Sequence, residues 1–167
     1  AGTLAHPATH QQFVRPGIML YGATPLGHAH ATDALLKPAM SLRSAIFSIR
    51  ELAVGEPIGY AGRYVCDRPT RVGVVAMGYA DGYPRHAIDG TPVSIDGHRS
   101  RIIGKVSMDM LTVDLTDLPH IKEGAPVELW GNEVRANEVA DCCDTISYTL
   151  FTGVTRRVPL RYINHSN

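Results

Sequence analysis

The stretch from Val93 to Val106 reads VSIDGHRSRIIGKV, and it decides the fold class of the chain. Apolar and polar residues alternate around Asp96-Gly97, which is the periodicity of β-strands that bury one face. Aspartate followed by glycine is typical of a two-residue type I′ turn, because both central residues of that turn need positive φ angles. The stretch therefore predicts a β-hairpin with strands over 93–95 and 98–106.

Strand periodicity continues from this hairpin in both directions along the chain. Turn residues recur about every ten positions, and the clearest helical spacing lies in the segment Asn132–Cys143. This pattern predicts at least six short strands, one or two short helices, and a mainly-β barrel or sandwich. Besides the hairpin, the predicted strands are residues 40–54, 71–77, 111–115, 126–130 and 157–163.

The first 38 residues differ in character from the rest of the chain. They are rich in proline and histidine and contain an isolated apolar segment, Phe13–Gly22, which we interpret as a short buried strand. The sequence starts at Ala1 without a methionine and reaches that segment almost at once. We therefore expect residues 1–38 to be the tail of a preceding domain and residues 39–167 to form the β domain.

Composition excludes several classes of protein. Lys plus Arg and Asp plus Glu both total 16, so the formal net charge is zero, which argues against nucleic-acid and anionic-membrane partners. Cys66, Cys142 and Cys143 form no CxxC motif, which favours reduced thiols in a cytoplasmic protein over a disulfide or zinc framework. The histidines show no metal-ligand spacing, so we predict no metal site. No apolar run approaches the roughly 20 residues of a membrane span.

Several short motifs could carry chemistry. In Arg15-Pro16-Gly17-Ile18, a cation precedes two amides that could hold a phosphate group. Gly59-Tyr60-Ala61-Gly62 suggests a rigid loop that presents an aromatic ring, and Gly78-Tyr79-Ala80-Asp81-Gly82 repeats this pattern. Ser107-Met108-Asp109 follows a predicted strand. Taken singly, each motif is also explained as a turn or a packed side chain. The sequence has no GxSxG and no P-loop, which removes common hydrolase and NTPase interpretations.

Taken together and in this order, five segments resemble the alanine racemase family, and the match spans nearly the whole chain. That family has an N-terminal (β/α)8 barrel and a C-terminal, mostly-β domain. The resemblance implies that residues 1–38 are a remnant of the end of the barrel, including its last strand, and that residues 39–167 are the C-terminal β domain. The matching segments are Val14–Gly22, Gly59–Tyr64, Gly78–Arg85, Ile103–Asp109 and Thr145–Tyr148.

The resemblance implies racemisation of L-alanine and D-alanine with pyridoxal 5′-phosphate (PLP), by two bases that flank the substrate. Tyr60 corresponds to the tyrosine base. The second base is the PLP-binding lysine of the barrel, and none of Lys37, Lys105 and Lys122 lies in its motif. Because a free tyrosine has a pKa of about 10, the base needs a cationic or hydrogen-bonding neighbour. The family places that neighbour in the partner subunit's barrel. Because the lysine of the barrel is absent from this sequence, we expect this chain to be inactive alone.

The cofactor contacts are also implied by the motif match. Arg15 corresponds to the arginine that faces the ring nitrogen of PLP. Because arginine stays protonated, it donates a hydrogen bond and leaves that nitrogen unprotonated, which makes PLP a weaker electron sink. The amides of Gly17 and Ile18 and the hydroxyl of Tyr148 correspond to groups that hold the cofactor phosphate.

The remaining site residues match positions near the substrate. The backbone N–H of Met108 corresponds to a contact with the substrate carboxylate, while Tyr79 and Asp109 correspond to residues at the entrance. In the family's homodimer, Arg15 and Tyr148 would serve the chain's own cofactor. Tyr60 and Met108 would reach the partner's cofactor.

The leading interpretation is therefore a cytoplasmic bacterial isomerase that supplies D-alanine for the peptidoglycan of the cell wall or interconverts it in catabolism. A racemase with broader specificity, for serine or lysine, is a close alternative that a small substrate pocket would argue against. A stand-alone β-barrel interaction module is an alternative from another class. The composition allows it, yet it leaves the five ordered motifs unexplained.

Overall fold

A curled antiparallel sheet dominates the computed structural model, which describes residues 1–26 and 30–163. Three short α-helices accompany it: α1 (Gly2–Ala5), α2 (Ala136–Asp141) and α3 (Ser147–Gly153). The mainly-β fold predicted from the sequence is confirmed. The strands of the described residues are β1 (Leu42–Leu52), β2 (Pro57–Ile58), β3 (Tyr64–Val65), β4 (Thr70–Val75), β5 (Pro92–Ile95), β6 (His98–Arg101), β7 (Leu111–Asp114) and β8 (Pro126–Trp130).

The long strand β1 joins the two halves of the sheet. The strands of the sheet lie in the order β6-β5-β8-β1-β4-β7. Its first residues, Leu42–Ala45, pair with β8, and the residues from Ile46 onward pair with β4. Beyond the end of β6, Ile102 forms a bridge with Val113 of β7. The two outer strands of the sheet therefore meet, and the sheet curls into a barrel.

Alternation along the strands fills the barrel with apolar side chains, as expected for strands that bury one face. Two large rings at the end of the barrel, Tyr83 and Trp130, stack with their centroids 5.9 Å apart. A smaller cluster outside the barrel packs under the β2–β3 hairpin. The fully buried residues of the main core include Val75, Val93, Ile95, Ile102, Val113, Leu115, Val127, Leu129 and Val139.

The hairpin that predicted the fold is present. Asp96 and Gly97 both have positive φ angles, 49° and 81°, as a type I′ turn requires. The second strand ends at Arg101 rather than at Val106, because Ile103 leaves the hairpin and donates its N–H to Thr112 at 3.0 Å. The predicted strands 40–54, 71–77 and 111–115 agree with β1, β4 and β7 to within two residues at each end, and the predicted strand 126–130 has the bounds of β8.

Two predicted strands are wrong. Phe13–Gly22 contains a 3-10 helix over Ile18–Tyr21 instead, because no strand of the described residues pairs with it and the carbonyls of Gly17 and Met19 accept N–H groups from three residues on. Residues 157–163 form no strand, since Thr155 and Val158 close a turn there at 3.2 Å. The predicted helix over 132–143 is confirmed in its central part as α2, while α3 was missed.

The N-terminal segment is hydrogen-bonded to the β domain at α2. Thr24 and Asn137 exchange two hydrogen bonds of 3.0 and 3.1 Å. At Gly22, where φ is +84°, a Cβ atom would lie 2.2 Å from the carbonyl oxygen of Lys37. Glycine is therefore required at the point where this segment packs against itself before β1 begins.

Candidate active site

A cavity of about 300 Å³ lies beside the N-terminal segment, and its wall includes Arg15, Gly17, Ile18 and Tyr148. These are the four residues that the sequence predicted as cofactor contacts. Tyr148 is far from Gly17 along the chain, yet a Cβ atom built on Gly17 would lie only 3.7 Å from its hydroxyl. The fold thus brings the phenol to the edge of the glycine's peptide.

Helix α3 positions Tyr148, which is its second residue. The ring of Phe151, one turn later, packs against the ring of Tyr21 with centroids 6.1 Å apart. Tyr21 ends the 3-10 helix that starts at Ile18. This ring contact therefore fixes α3 against the segment that carries the cavity's amides.

The cavity offers hydrogen-bond donors and positive charge. The N–H groups of Gly17 and Ile18 take part in no hydrogen bond among the described residues, as expected for the first amides of a helical turn. Arg15 is exposed and forms no ion pair with any described residue. Two unused amides, a hydroxyl and a guanidinium suit an anionic ligand of the size of a phosphorylated ring.

A second group of predicted residues lies on two loops that touch through their backbones. The N–H groups of Tyr79 and Ala80 donate to the carbonyls of Ser107 and Met108, each at 3.0 Å. A Cβ atom on Gly78 would lie 2.2 Å from the Met108 oxygen, so only glycine permits this approach. The side chain of Met108 is 53% exposed, and no hydrogen bond among the described residues uses its N–H.

Arg157 contacts a carboxylate on each of these two loops. The sequence did not predict Arg157 as a site residue, because it was placed in the predicted strand 157–163. Its guanidinium lies 2.6 Å from Asp109 and 3.3 Å from Asp81. Asp81 in turn accepts the N–H of Gly78 at 2.9 Å. The hydrogen bond to Asp109, followed by the charge of Asp81, raises the pKa of Arg157. No periodicity could reveal this residue, because both partners lie far from it along the chain.

Tyr60 occupies a third loop, between β2 and β3. At Gly59, where φ is +78°, a Cβ atom would lie 2.8 Å from the amide nitrogen of Lys105, so this loop sits directly on the chain that leads to Met108. Gly59, Lys105 and Ser107 share the wall of a second cavity, of about 390 Å³. The Tyr60 side chain is 74% exposed and does not line the cavity at Arg15.

The predicted site residues thus form two sets. Arg15, Gly17, Ile18 and Tyr148 line one cavity. The other four lie on three loops, of which the Tyr60 loop and the Tyr79 loop each contact the segment that carries Met108 and Asp109. In residues 1–26 and 30–163, no helix combines the length and apolar character that a membrane span needs. Over the same residues, no group of three or more His, Cys, Asp or Glu side chains is arranged to hold a metal ion.

Comparisons with known proteins identify the family of the chain. The family model described as alanine racemase, C-terminal domain, matches residues 39–162. An alanine racemase of Chromohalobacter salexigens is 59% identical over 162 residues, which are 97% of this chain and 44% of that protein. The crystal structure of the biosynthetic alanine racemase from Pseudomonas aeruginosa superposes with a TM-score of 0.93 at 53% identity, over 98% of this chain and 46% of that one.

A third relative has been solved with a cofactor. The alanine racemase of Bartonella henselae, described with covalently bound pyridoxal phosphate, superposes with a TM-score of 0.80 at 35% identity. The match covers 89% of this chain and 41% of that one. This chain spans less than half the length of each of these relatives. The chain belongs to the alanine racemase family, and residues 39–162 are the family's C-terminal domain.

Proposed function

We propose that this chain takes part in the PLP-dependent racemisation of L-alanine and D-alanine. The observation that carries the proposal is the cavity of about 300 Å³ that Arg15, Gly17, Ile18 and Tyr148 line together, where the N–H groups of Gly17 and Ile18 form no hydrogen bond with any described residue. The names of the relatives support the reaction, and the Bartonella protein supports the cofactor. Residues 1–38 would be the end of a PLP-binding barrel, and residues 39–167 the domain attached to it.

The residues of the cavity fit the cofactor. The amides of Gly17 and Ile18 and the hydroxyl of Tyr148 would donate hydrogen bonds to its phosphate, and the guanidinium of Arg15 would face its ring nitrogen. Bound PLP would supply delocalisation of the negative charge that develops at the substrate's α-carbon. Arg15 limits that delocalisation, because it leaves the ring nitrogen without a proton, and this would favour racemisation over transamination.

Tyr60 would move the proton on one face of the substrate. Its deprotonated oxygen would accept the α-proton of one enantiomer, and the hydroxyl formed in this way would return a proton when the reaction runs in the other direction. The second base would be a lysine of the barrel, and none of Lys37, Lys105 and Lys122 would serve. The exposure of Tyr60, 74%, supports a role in a site that a partner subunit completes.

Met108 would hold the substrate. Its unused N–H would donate to the carboxylate of alanine, and the loops that carry Tyr79 and Asp109 would flank the entrance. The exposure of the Met108 loop and its contact with the Tyr60 loop through Lys105 support this grouping. In the homodimer that we propose, Arg15 and Tyr148 of this chain would contact the cofactor bound to the same chain. The three loops would lie at the cofactor bound to the partner subunit.

We place the reaction in the bacterial cytoplasm, where the D-alanine would enter the peptidoglycan precursors. The free thiols of Cys66, Cys142 and Cys143 support a reducing compartment. The zero formal net charge supports a small-molecule substrate rather than a nucleic acid or an anionic membrane.

Replacement of Tyr60 tests the proposal. We expect the full-length protein that carries this chain to interconvert both enantiomers of alanine with PLP. Tyr60→Phe should lower the rate in both directions by about 10²–10⁴, because a general base contributes about that much. Exchange of the α-hydrogen with D2O should survive for one enantiomer only, since the lysine on the other face remains. Both quantities can be followed by NMR and chiral chromatography.

Tyr162→Phe is the matched control, because Tyr162 is an exposed tyrosine outside both residue sets. Near-normal racemisation by Tyr60→Phe would contradict the assignment of the base. If the wild-type protein racemises serine or lysine faster than alanine, then alanine is not the preferred substrate. No amino-acid racemisation at all would favour the stand-alone interaction module.

A further inference from the structure

We propose that Arg157 is a positioning residue that offsets negative charge beside the substrate-binding loop. This inference rests on the proposed function, because it assigns Arg157 a role in binding the substrate's carboxylate at Met108. Arg157 belongs to none of the motifs on which the resemblance was built. It stands out only in the fold, where one guanidinium contacts the carboxylates of Asp81 and Asp109.

The first step of the argument is the position of the two carboxylates. Asp109 directly follows Met108, whose free N–H is the proposed donor to the substrate carboxylate. Asp81 lies in the neighbouring loop, and the backbone of that loop donates to the Met108 carbonyl through Ala80. Two negative charges therefore flank a place that must accept a third. Without compensation they would repel the substrate.

The second step is the way in which Arg157 is held. Thr155 anchors the segment of Arg157 on the loop of residues 78–82. The N–H of Thr155 donates to the Asp81 carbonyl at 3.0 Å, and its hydroxyl donates to the Ala80 carbonyl at 2.8 Å. A Cβ atom on Gly82 would lie 2.2 Å from the carbonyl oxygen of Gly153, so this segment is packed without a gap. The anchor brings the guanidinium to both carboxylates.

The third step distinguishes the charge of Arg157 from its contribution to the packing of the loops. Half of the Arg157 side chain is exposed (51%), as is that of Asp109 (53%), so their ion pair adds little to the stability of the fold. The Asp81 side chain is mostly covered and keeps its hydrogen bond to Gly78 without help from Arg157. The loops should therefore persist when Arg157 is removed, while the charge beside Met108 changes by one unit.

A double-mutant cycle in the full-length PLP-loaded protein tests this inference. Arg157→Ala should raise the KM for alanine about fivefold at low ionic strength and change kcat less than twofold, because one uncompensated charge lies near the bound carboxylate. The increase in KM should shrink in about 0.5 M salt, which screens exposed charges. Arg157→Lys should restore much of the KM. Arg157→Ala with Asp109→Asn should reverse most of the increase, because it restores the net charge of these three groups.

Arg156→Ala is the control, because Arg156 is the adjacent exposed arginine and forms no ion pair with any described residue. A KM for Arg157→Ala equal to that of the wild-type protein would overturn the inference and leave the proposed function intact. An increase that neither salt nor Asp109→Asn reduces would also overturn it, since that result indicates a steric role. A wild-type protein without racemase activity would instead contradict the proposed function.

Discussion

At the scale of single residues, Tyr83 is the side chain whose environment is most unusual. It is 1% exposed and stacks on Trp130, yet its hydroxyl has no hydrogen-bond partner among the described residues. Burial, reinforced by the nearby thiols of Cys143 and Cys142, raises its pKa well above the ordinary value. The ring is favourable for packing, whereas the oxygen on it is costly.

Tyr83→Phe should therefore stabilise the protein. We expect the free energy of unfolding at pH 7 to rise by about 1 kcal/mol, because a buried hydroxyl without a partner is removed and the stacked ring is kept. Since folding raises this pKa, the unfolded chain loses the phenol proton first, and the stability of the wild-type protein falls as the pH rises above the unfolded value of about 10. The advantage of the variant should thus grow above about pH 10.

Urea unfolding followed by the fluorescence of the single tryptophan, Trp130, measures both effects. Tyr162→Phe, at an exposed position, should leave the pH dependence of unfolding unchanged. A loss of stability by Tyr83→Phe at every pH would mean that the hydroxyl has a partner.

At the scale of secondary-structure elements, the contact between β6 and β7 depends on one carboxylate. Asp114, near the end of β7, accepts the N–H of Thr116 at 3.0 Å and is paired with Arg101 of β6 at 3.1 Å. Burial acts to raise the pKa of Asp114, but the hydrogen bonds from Thr116 and Arg101 outweigh it, so the pKa is lowered. Removal of this charge should loosen the closure of the barrel.

Asp114→Asn should lower the free energy of unfolding at pH 7 by about 1–2 kcal/mol. Because folding lowers the pKa of Asp114, its contribution is present above the unfolded value of about 3.9 and disappears as the pH falls through the folded value. The wild-type protein and the variant should therefore converge in acid. Asp117→Asn is the control, because the ion pair of Asp117 with Arg68 is exposed and contributes little. A pH-independent difference would contradict the prediction.

The elements also show what the sequence could predict. The central strands and the Asp96-Gly97 turn were predictable because period-two alternation and positive φ preferences are local properties. The segment Phe13–Gly22 was mispredicted because its apolar residues line a cavity and form a helical turn rather than pair with a strand. α3 was missed because its burial depends on contacts with Tyr21, far away in the sequence.

At the scale of the whole molecule, a set of apolar side chains on the segments that form the cavity at Arg15 is left uncovered by the described residues. Phe13, the most exposed of them, has 88% of its surface accessible. Resemblance to the family could indicate which residues share a site, whereas the division into one cavity and three loops depends on the folded chain. We call the exposed set Phe13, Leu20, Tyr21, Ile146 and Tyr148 the cavity-side patch.

The 167-residue chain, produced by itself, should fold and self-associate through the cavity-side patch, because exposed apolar surface of this kind promotes association. Leu20→Lys should shift the sedimentation profile toward the monomer. Val54→Lys, the same change of charge at an exposed apolar residue in the turn after β1, should not. A monomer at every concentration for the unmodified chain would contradict the prediction.

The bridge between Ile102 and Val113 has a consequence for how such association can proceed. An open sheet offers its outermost backbone groups as a template to which another chain can add a strand, and fibrils grow in this way. Because the two outer strands of the six-stranded sheet meet at this bridge and at the hydrogen bond from Ile103 to Thr112, they offer less free backbone as a template. Assemblies of this chain should therefore be held by side chains, remain globular, and dissolve again on dilution rather than mature into amyloid.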